Sequence, residues 1–369
     1  METRELIKNT EVLATDNNLL GFAVLFETEG EPRSCERYGS GHINFTYLVV
    51  DSAGHKYIMQ RINQKVFRDP RVLMENAVAV TEYLRAGSSG REALTFVPVR
   101  TGEKWHVDDS GEYWRMYEYV ADSICFTKVE SLGDFRESGW AFGNFQRLLG
   151  DFPASVLHET IPRFHDTPDR FENFKRAQSE DAAGRAGRVG GEIEFALKRE
   201  GYANLLVGML KSGELPLRVT HNDTKLSNVL FDINTRKALC VIDMDTIMPG
   251  LSVYDYGDSI RFGASTAAED ERDLGKVNLS MELLGAYTEG FLSSCGGSLT
   301  KNELECLRDG SKMMTLECGV RFLTDYLNGD VYFKTDRPDQ NLDRCRTQFK
   351  LVSEMERRWD EMRRVILKG

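Results

Sequence analysis

The sequence predicts an α+β protein in which a five-stranded antiparallel sheet with one helix precedes a mostly α-helical region. Three observations support this fold class. The 369 residues are enough for two or three packed domains rather than one small module. Residues 33 to 120 contain short strand-like runs that are separated by turn residues. Apolar residues at helical spacing dominate the rest of the chain, so we place the domain boundary between residues 120 and 121.

The predicted sheet consists of five strand-like segments and one helix in the first 120 residues. The first three strands are 33–38, 45–50 and 57–62, and glycine turns lie before the second and before the third. Helix 70–86 follows, because Pro70 is favoured at a helix start and apolar residues then recur at helical spacing. Two further strands, 94–99 and 113–120, complete the sheet. Beyond it, helices are predicted over 134–149, 192–211 and 278–292.

Composition and charge exclude several classes of protein. Hydrophobic residues make up 41% and charged residues 28% of the chain, which is typical of a folded globular protein. The net charge of −11 disfavours nucleic acids and anionic membranes as partners, because both require positive charge. Seven cysteines without a C-x-x-C pair, and an N-terminus without a signal-peptide-like apolar stretch, predict a cytoplasmic protein with reduced thiols.

The segment from His221 to Asn228 carries the strongest chemical signal, because it fits the pattern H-x-D-x-K-x-x-N. In phosphoryl transfer, the Asp of such a loop accepts the proton of the acceptor hydroxyl, and the Asn reaches a Mg²⁺ ion. Two apolar strands, 229–231 and 238–242, follow and lead to Asp243. In an antiparallel hairpin Asp243 would lie beside Asn228, so the carboxylate of Asp243 and the amide oxygen of Asn228 could bind one Mg²⁺ ion. The alternative is that these residues only form turns and caps.

Asp245 is a further candidate for the same metal. We expect Asp245 to lie on the same strand face as Asp243, because side chains alternate along a strand. A structural carboxylate is an equally good interpretation of Asp245. Asp255 and Asp258 follow, and we expect them to brace the catalytic loop rather than to touch substrate.

The order of these motifs resembles the aminoglycoside phosphotransferase and choline kinase group of small-molecule kinases. More narrowly, six segments are similar to the bacterial N-acetylhexosamine 1-kinases: 41–44, 57–61, 164–168, 220–225, 242–250 and 257–263. The resemblance implies a bilobal protein-kinase-like fold, with a nucleotide-binding N-lobe over 1–120 and a catalytic, sugar-binding C-lobe over 121–369. It also implies ATP and Mg²⁺ as cofactors, a small-molecule sugar as partner, and transfer of the γ-phosphate to the anomeric hydroxyl of N-acetylglucosamine or N-acetylgalactosamine.

The resemblance assigns roles in the C-lobe to individual residues. Asp223 is the base, Lys225 contacts the γ-phosphate, and Asn228 and Asp243 are the metal ligands. A further sugar contact is expected from Arg321, with Tyr332 beyond it.

In the N-lobe the assigned residues are nucleotide contacts. Gly39 and Gly41 form a glycine turn that is either a phosphate cradle or a plain hairpin turn. Arg61 stands where the related kinases have a lysine, with Glu75 or Glu82 as its partner. His42 is either a sugar-site donor or a turn histidine, and both interpretations stay open.

Tyr117 and Tyr119 lie in segment 117–120, at the junction of the two lobes. In a kinase-like hinge the backbone of such a segment pairs with adenine. Because backbone contacts leave no side-chain pattern, only the position of the segment supports this assignment.

Arg321 is part of a polar stripe on a predicted helix. Glu317, Arg321 and Asp325 follow one another at intervals of four, while apolar residues cover the remaining faces. One interpretation is an exposed ladder of ion pairs, and the other is a buried arginine that binds a ligand. The family resemblance favours the buried arginine that binds a ligand.

Two other functions compete with the sugar kinase. A related kinase could act on an aminoglycoside, choline or homoserine, and an acidic pocket would favour cationic acceptors. A non-catalytic kinase-like protein is disfavoured, because such proteins usually lose the base or a metal ligand, whereas Asp223, Asn228 and Asp243 are all present.

Overall fold

The computed structural model describes residues 16–39, 43–87 and 93–368. It divides into two compact units, Met1–Glu82 with Leu94–Ala121, and Tyr83–Ala93 with Asp122–Gly369. The α+β fold class is confirmed, with an antiparallel sheet in the first unit and predominantly helices in the second. Within the described ranges, no helix is both long and apolar enough to cross a bilayer.

The first unit contains the predicted five-stranded sheet. Its strands have the order β1-β2-β3-β5-β4 and pair antiparallel throughout. Helix α1 (Asp16–Ala23) and helix α2 (Pro70–Gly87) belong to the same part of the chain, although the last residues of α2 fall in the second unit. The strands are β1 (Pro32–Arg37), β2 (Phe45–Asp51), β3 (Lys56–Arg61), β4 (His106–Val107) and β5 (Tyr113–Glu118).

One of the five strands is not where the sequence predicts it. Segment 94–99 contributes only isolated bridges, between Phe96 and Tyr117 and between Val99 and Phe26, and the fifth strand is β4 instead. The reason is Pro98, which has no N–H to donate and therefore interrupts a ladder. The predicted strand 94–99 is thus wrong, while the number of strands is right.

The second unit is built from helices around two small sheets. Helices predicted at 134–149 and 278–292 are confirmed as α3 (Leu132–Leu148) and α8 (Met281–Cys295). The single helix predicted over 192–211 is wrong, because the chain forms α5 (Gly190–Leu197), a 3₁₀ turn that includes Gly201, and α6 (Leu205–Lys211). The other helices are α4 (Thr167–Glu180), α7 (Ser252–Gly263), α9 (Lys301–Leu327), α10 (Gln340–Arg357) and α11 (Trp359–Ile366).

The two small sheets hold the motif that the sequence singles out. Strands β7 (Arg218–Thr220) and β10 (Met248–Gly250) pair antiparallel, as do β8 (Val229–Asp232) and β9 (Ala238–Val241). Strand β6 (Ser123–Ile124) adds to β8 at the edge. The predicted hairpin is therefore confirmed, and the H-x-D-x-K-x-x-N segment connects β7 to β8.

Helices α7 and α9 are in direct backbone contact. A Cβ atom on Gly257 would lie 2.3 Å from the carbonyl oxygen of Gly310, and one on Gly310 would lie 2.2 Å from that of Val253. No larger residue fits at these two positions without moving a helix. The contact fixes α7 against α9, and a buried cluster that includes Val320 and Leu323 packs α9 against α4, α5 and α10.

Candidate functional site

The loop between β7 and β8 brings three predicted residues together. Lys225 Nζ forms an ion pair with Asp223 Oδ1 at 2.7 Å, and Asn228 Nδ2 donates to Asp223 Oδ2 at 3.1 Å. Asn228 Nδ2 also donates to the backbone oxygen of Asp223 at 2.7 Å. The side chain of Asp223 is about one quarter exposed, so a hydroxyl can reach it. The amide oxygen of Asn228 points away from Asp223, because the same planar group directs its nitrogen toward it.

Asp243 lies two residues after the end of β9, the strand that pairs with β8 just beyond Asn228. The N–H of Ile242 donates to the Asn228 carbonyl at 2.9 Å, and Asp243 then takes a left-handed conformation with φ of 65°. This turn ends the strand and starts a 3₁₀ turn, Met244–Thr246. The argument that Asp243 and Asp245 share a strand face is therefore wrong, because Asp245 is not on a strand.

The donor set fits a magnesium ion. Asn228 supplies an amide oxygen and Asp243 a carboxylate, both of which are hard ligands that Mg²⁺ prefers. Among the described residues, no three His, Cys, Asp or Glu side chains form a metal cluster. Mg²⁺ in nucleotide sites commonly takes one or two carboxylates together with phosphate oxygens, and a set of two protein ligands is consistent with such a site. The assignment of the two ligands stays a prediction.

The loop that contains Asp223 is supported by a fully buried carboxylate on α7, that of Asp255. Asp255 accepts the backbone N–H of His221 at 2.9 Å and that of Asn222 at 2.8 Å, and Gln146 of α3 donates to the same carboxylate at 2.9 Å. Asn222 is in the left-handed region with φ of 64°, so the loop turns sharply just before Asp223. Sequence reasoning expects Asp255 to brace this loop, but the contribution of Gln146 has no signal in the sequence.

Asp258, one helical turn further along α7, supports the other side of the loop. It accepts the Thr224 N–H at 3.1 Å and pairs with Arg261 at 2.8 Å. Burial by itself would raise the pKa of Asp258, but the Arg261 guanidinium and the Lys225 ammonium hold it below its ordinary value. Burial would likewise lower the pKa of Lys225, yet Asp223 outweighs it and the pKa is raised, so Lys225 stays charged.

Asp255 makes a testable contribution to the pH dependence of stability. Burial raises its pKa to about 6, although the charge of His221 and the N–H groups of His221 and Asn222 act in the opposite direction. A raised folded-state pKa gives stability that is complete below pH 3.8 and is lost as the pH rises through about 6. We expect the free energy of unfolding of the wild type, relative to Asp255→Asn, to fall by up to about 3 kcal/mol over that range.

Urea titrations of both proteins at several pH values measure this difference. Asp134→Asn is the control, because hydrogen bonds from Arg236 lower the pKa of Asp134, and its effect should be flat between pH 4.5 and 7. A flat difference for Asp255→Asn as well would contradict the assignment.

In the first unit, Arg61 lies on the opposite face of the sheet from α2. It is paired across strands with Phe45, whose ring centroid is 4.2 Å from the guanidinium carbon. Among the described residues no carboxylate is within 4 Å of Arg61. Glu75 pairs with Arg71 instead, and Glu82 pairs with Lys104. Neither of the two partners that the sequence offers for Arg61 is therefore bound to it.

The cation that faces α2 is a different arginine. Arg115 of β5 is paired across strands with Gln60, donates to its amide oxygen at 3.0 and 2.7 Å, and contacts the sulfur of Met74. Only 2% of Arg115 is exposed. Sequence reasoning missed it, although the alternation of β5 places it on the same face as Tyr117.

Two backbone N–H groups of segment 117–120, the expected hinge, are bonded within the first unit. The backbone N–H of Tyr119 donates to Lys56 at 3.1 Å and that of Glu118 to Thr95 at 3.0 Å, so both are used within the unit. Tyr117 is buried, and its hydroxyl donates to Gln60.

Gly39 has a φ of 74°, which agrees with a glycine turn, whereas Gly41 and His42 lie outside the described residues. Nucleotide contacts by these residues stay predictions.

Arg321 is not part of an ion ladder, so that interpretation is wrong. Glu317 instead accepts His165 Nδ1 at 2.8 Å and the Thr167 hydroxyl at 2.6 Å. Asp325 accepts three backbone N–H groups, from residues 331 to 333, at 2.8 to 3.0 Å. Arg321 is half-buried, and its guanidinium carbon lies 5.0 Å from the Phe164 ring centroid and 5.5 Å from that of Phe333.

The loop held by Asp325 contains the other predicted sugar contact. Tyr332 is 64% exposed, and its ring lies 4.8 Å from Phe333 in an edge-on arrangement. Segment 164–168, which the family resemblance singles out without a role, therefore meets Arg321 in space. The structure joins Glu317 to His165 and Thr167, and their separation of about 150 residues along the chain explains why the sequence does not reveal this contact.

Comparisons with known proteins identify the family. Residues 34–284 match the model of the phosphotransferase enzyme family. Among solved structures, a microcompartment-associated aminopropanol kinase has 18% identity and a TM-score of 0.63, over 94% of this chain and 98% of that one. An aminoglycoside phosphotransferase from Alicyclobacillus acidocaldarius has 11% identity and a TM-score of 0.65, over 98% and 99%.

A third similar structure is an amicoumacin kinase in complex with AMP-PNP, Ca²⁺ and Ami, with 13% identity and a TM-score of 0.62 over 92% of this chain and 94% of that one. At these identities the likeness establishes the fold, which agrees with the expected kinase-like architecture. The family match covers more than half of the chain and includes the loop with Asp223 and its supporting helix α7. The chain belongs to the phosphotransferase enzyme family.

Proposed function

We propose that the protein transfers the γ-phosphate of ATP to the anomeric hydroxyl of an N-acetylhexosamine and releases the sugar 1-phosphate. The observation that carries this proposal is Arg321, a half-buried guanidinium between two aromatic rings, with both neighbouring carboxylates of its helix engaged elsewhere. A guanidinium fork can bind two oxygens of one sugar, and aromatic rings pack against the apolar face of a pyranose.

The chemistry at Asp223 suits an anomeric hydroxyl. The carboxylate orients the hydroxyl and takes its proton as the oxygen forms a bond to phosphorus and the bond between the β and γ phosphates breaks. An anomeric hydroxyl is more acidic than an ordinary alcohol, so a carboxylate suffices as the base. Lys225, beside Asp223, supplies positive charge for the transferred phosphoryl group. Mg²⁺, when held by Asn228 and Asp243, would neutralise charge on the nucleotide phosphates.

A panel of acceptors tests the proposal. The wild-type protein is incubated with ATP, Mg²⁺ and one acceptor at a time: N-acetylglucosamine, N-acetylgalactosamine, an aminoglycoside, choline or homoserine. Release of ADP measures turnover, and ³¹P NMR of the product distinguishes an anomeric phosphate from one elsewhere on the ring. Turnover of amino alcohols without turnover of N-acetylhexosamines would overturn the proposal.

One alternative acceptor is supported by a particular observation. Homoserine carries a carboxylate, and Arg170 and Arg321 both lie at Phe164 without a carboxylate within 4 Å among the described residues. The panel therefore separates a sugar from an amino acid as the acceptor.

Replacing Arg321 tests its role in sugar binding. Arg321→Ala removes the fork, so we expect kcat/KM for N-acetylhexosamine to fall by about tenfold or more, while the KM for ATP changes little. Steady-state kinetics with each substrate varied in turn measure both. Lys301→Ala, at an exposed position on the same helix, is the matched control. If the sugar kinetics stay unchanged and only the melting temperature moves, Arg321 is structural.

A further inference from the structure

Both peptide groups that flank the Cα atom of Thr224 are bonded to side chains of α7. The peptide group between Asp223 and Thr224 donates its N–H to Asp258 at 3.1 Å. The next one, between Thr224 and Lys225, accepts on its carbonyl oxygen from the hydroxyl of Ser259 at 2.8 Å. Because each peptide group is planar, these two bonds fix the backbone from which the side chains of Asp223 and Lys225 start.

The hydroxyl of Ser259 is itself held by a residue of α8. The phenol of Tyr287 donates to Ser259 Oγ at 2.7 Å, and the single hydrogen of the Ser259 hydroxyl goes to the Thr224 carbonyl. All three residues are buried, so water does not compete for these bonds. A hydroxyl that accepts one hydrogen bond becomes a stronger donor in the next. Tyr287, Ser259 and the Thr224 carbonyl therefore form a directed chain of hydrogen bonds, the hydroxyl relay, from α8 to the loop that contains Asp223.

The packing of α3 and α8 sets the position of the Tyr287 hydroxyl. The rings of Phe135 on α3 and Phe291 on α8 have centroids 4.9 and 6.1 Å from that of Tyr287. The two helices are also in backbone contact here, since a Cβ atom on Gly139 would lie 2.2 Å from the Tyr287 carbonyl oxygen. Burial raises the pKa of Tyr287 well above its ordinary value, so the phenol keeps its proton and remains a donor.

We propose that Ser259 and Tyr287 are positioning residues for phosphoryl transfer, because they hold the peptide group after Thr224 in the orientation that places Lys225 beside Asp223. The inference rests on the proposed function in taking Asp223 as the base, and it applies to any acceptor hydroxyl. Both side chains are buried, so they act through Thr224 rather than on a substrate. A displacement of about 1 Å at a reacting group can lower a rate by about 10²-fold, so loss of one bond in the relay is expected to lower kcat.

A second tyrosine between α7 and α8 provides a matched control. Tyr256 is as fully buried as Tyr287, the two ring centroids lie 5.6 Å apart, and the Tyr256 hydroxyl is 2.6 Å from that of Thr288. Thr288 gives its own hydrogen to the Leu284 carbonyl, so this chain of bonds ends within α8. Phenylalanine at either position removes one oxygen atom and one buried hydrogen bond, but only Tyr287→Phe breaks the hydroxyl relay.

Steady-state kinetics of the two tyrosine variants test the relay, with ATP and the acceptor that the panel identifies. We expect Tyr287→Phe to lower kcat by about three- to tenfold and to leave the KM values for ATP and acceptor within about twofold of the wild type. Tyr256→Phe should keep the kcat of the wild type. Ser259→Ala should lower kcat by about tenfold or more, and Tyr287→Phe should add no further loss to it, because the two residues act in series.

Hydrogen–deuterium exchange of the loop provides a readout that does not need turnover. We expect a peptide that covers residues 221–228 to exchange at least about threefold faster in Tyr287→Phe than in the wild type or in Tyr256→Phe. If no acceptor of the panel is turned over, the proposed function fails, while exchange still decides whether the relay holds the loop. Wild-type exchange in Tyr287→Phe would then overturn the inference.

Three kinetic results would also overturn it. Equal losses of kcat in Tyr287→Phe and Tyr256→Phe would assign the effect to the packing of α7 against α8. A higher KM at unchanged kcat would assign the relay to substrate binding, and unchanged kinetics in Tyr287→Phe would make it purely structural. If Ser259→Ala does not fold, the two tyrosine variants decide alone, because each differs from the wild type by a single oxygen atom.

Discussion

Asp223→Asn is expected to lower kcat by about 10²-fold or more while the fold and nucleotide binding are retained. The amide that replaces the carboxylate has one oxygen, so it can accept from Lys225 or from Asn228 but not from both, because the two donate to different oxygens of Asp223. It cannot accept a proton from the acceptor hydroxyl at neutral pH. The variant therefore removes the base and one side-chain hydrogen bond, while the size of the side chain and the bond from Asn228 to the backbone oxygen of residue 223 are kept.

Two measurements separate this effect from misfolding. The melting temperature and the affinity for a non-hydrolysable ATP analogue should stay close to those of the wild type. Asp360→Asn, an exposed aspartate at the start of α11, controls for the loss of one negative charge. A wild-type kcat for Asp223→Asn would mean that the proton goes to another group.

Asp243→Ala is expected to abolish turnover at ordinary Mg²⁺ concentrations, because it removes the carboxylate of the two-ligand site. Asn228→Ala should raise the Mg²⁺ concentration for half-maximal rate. A change in kcat for this variant would combine an effect on the metal with one on the base, because Asn228 also donates to Asp223 at 3.1 Å. The rate as a function of Mg²⁺ concentration measures both changes.

A binding readout makes the second prediction independent of turnover. Mn²⁺ can replace Mg²⁺ at oxygen ligands, and its paramagnetic resonance signal reports the free ion. With a non-hydrolysable ATP analogue present, we expect Asp243→Ala to bind Mn²⁺ at least tenfold more weakly than the wild type. An unchanged Mn²⁺ affinity and Mg²⁺ dependence in both variants would place the metal elsewhere.

The local geometry of the loop from His221 to Asn228, with the hairpin that follows it, could be predicted from the sequence alone. Its residues are close together along the chain, and an antiparallel hairpin has few possible registers once its strands are recognised. Strand β8 pairs with β9 so that Ile242 lies opposite Asn228, and Asp243 follows. The strand count and most of the first sheet were predictable for the same reason, apart from segment 94–99, where Pro98 interrupts the ladder.

What the sequence alone could not determine depends on packing between distant segments. Asp255 reaches the catalytic loop across 33 or 34 residues, and Glu317 meets His165 across 152. Arg61 and Arg115 lie on opposite faces of the sheet, and which of them faces α2 follows from the strand register and from the position of that helix. Spacing along a helix placed Glu317, Arg321 and Asp325 on one stripe, but only the tertiary structure decided their partners. Helix α7 and helix α9 meet through Gly257 and Gly310, and such a contact has no periodicity in the sequence because it joins two backbones rather than two side chains.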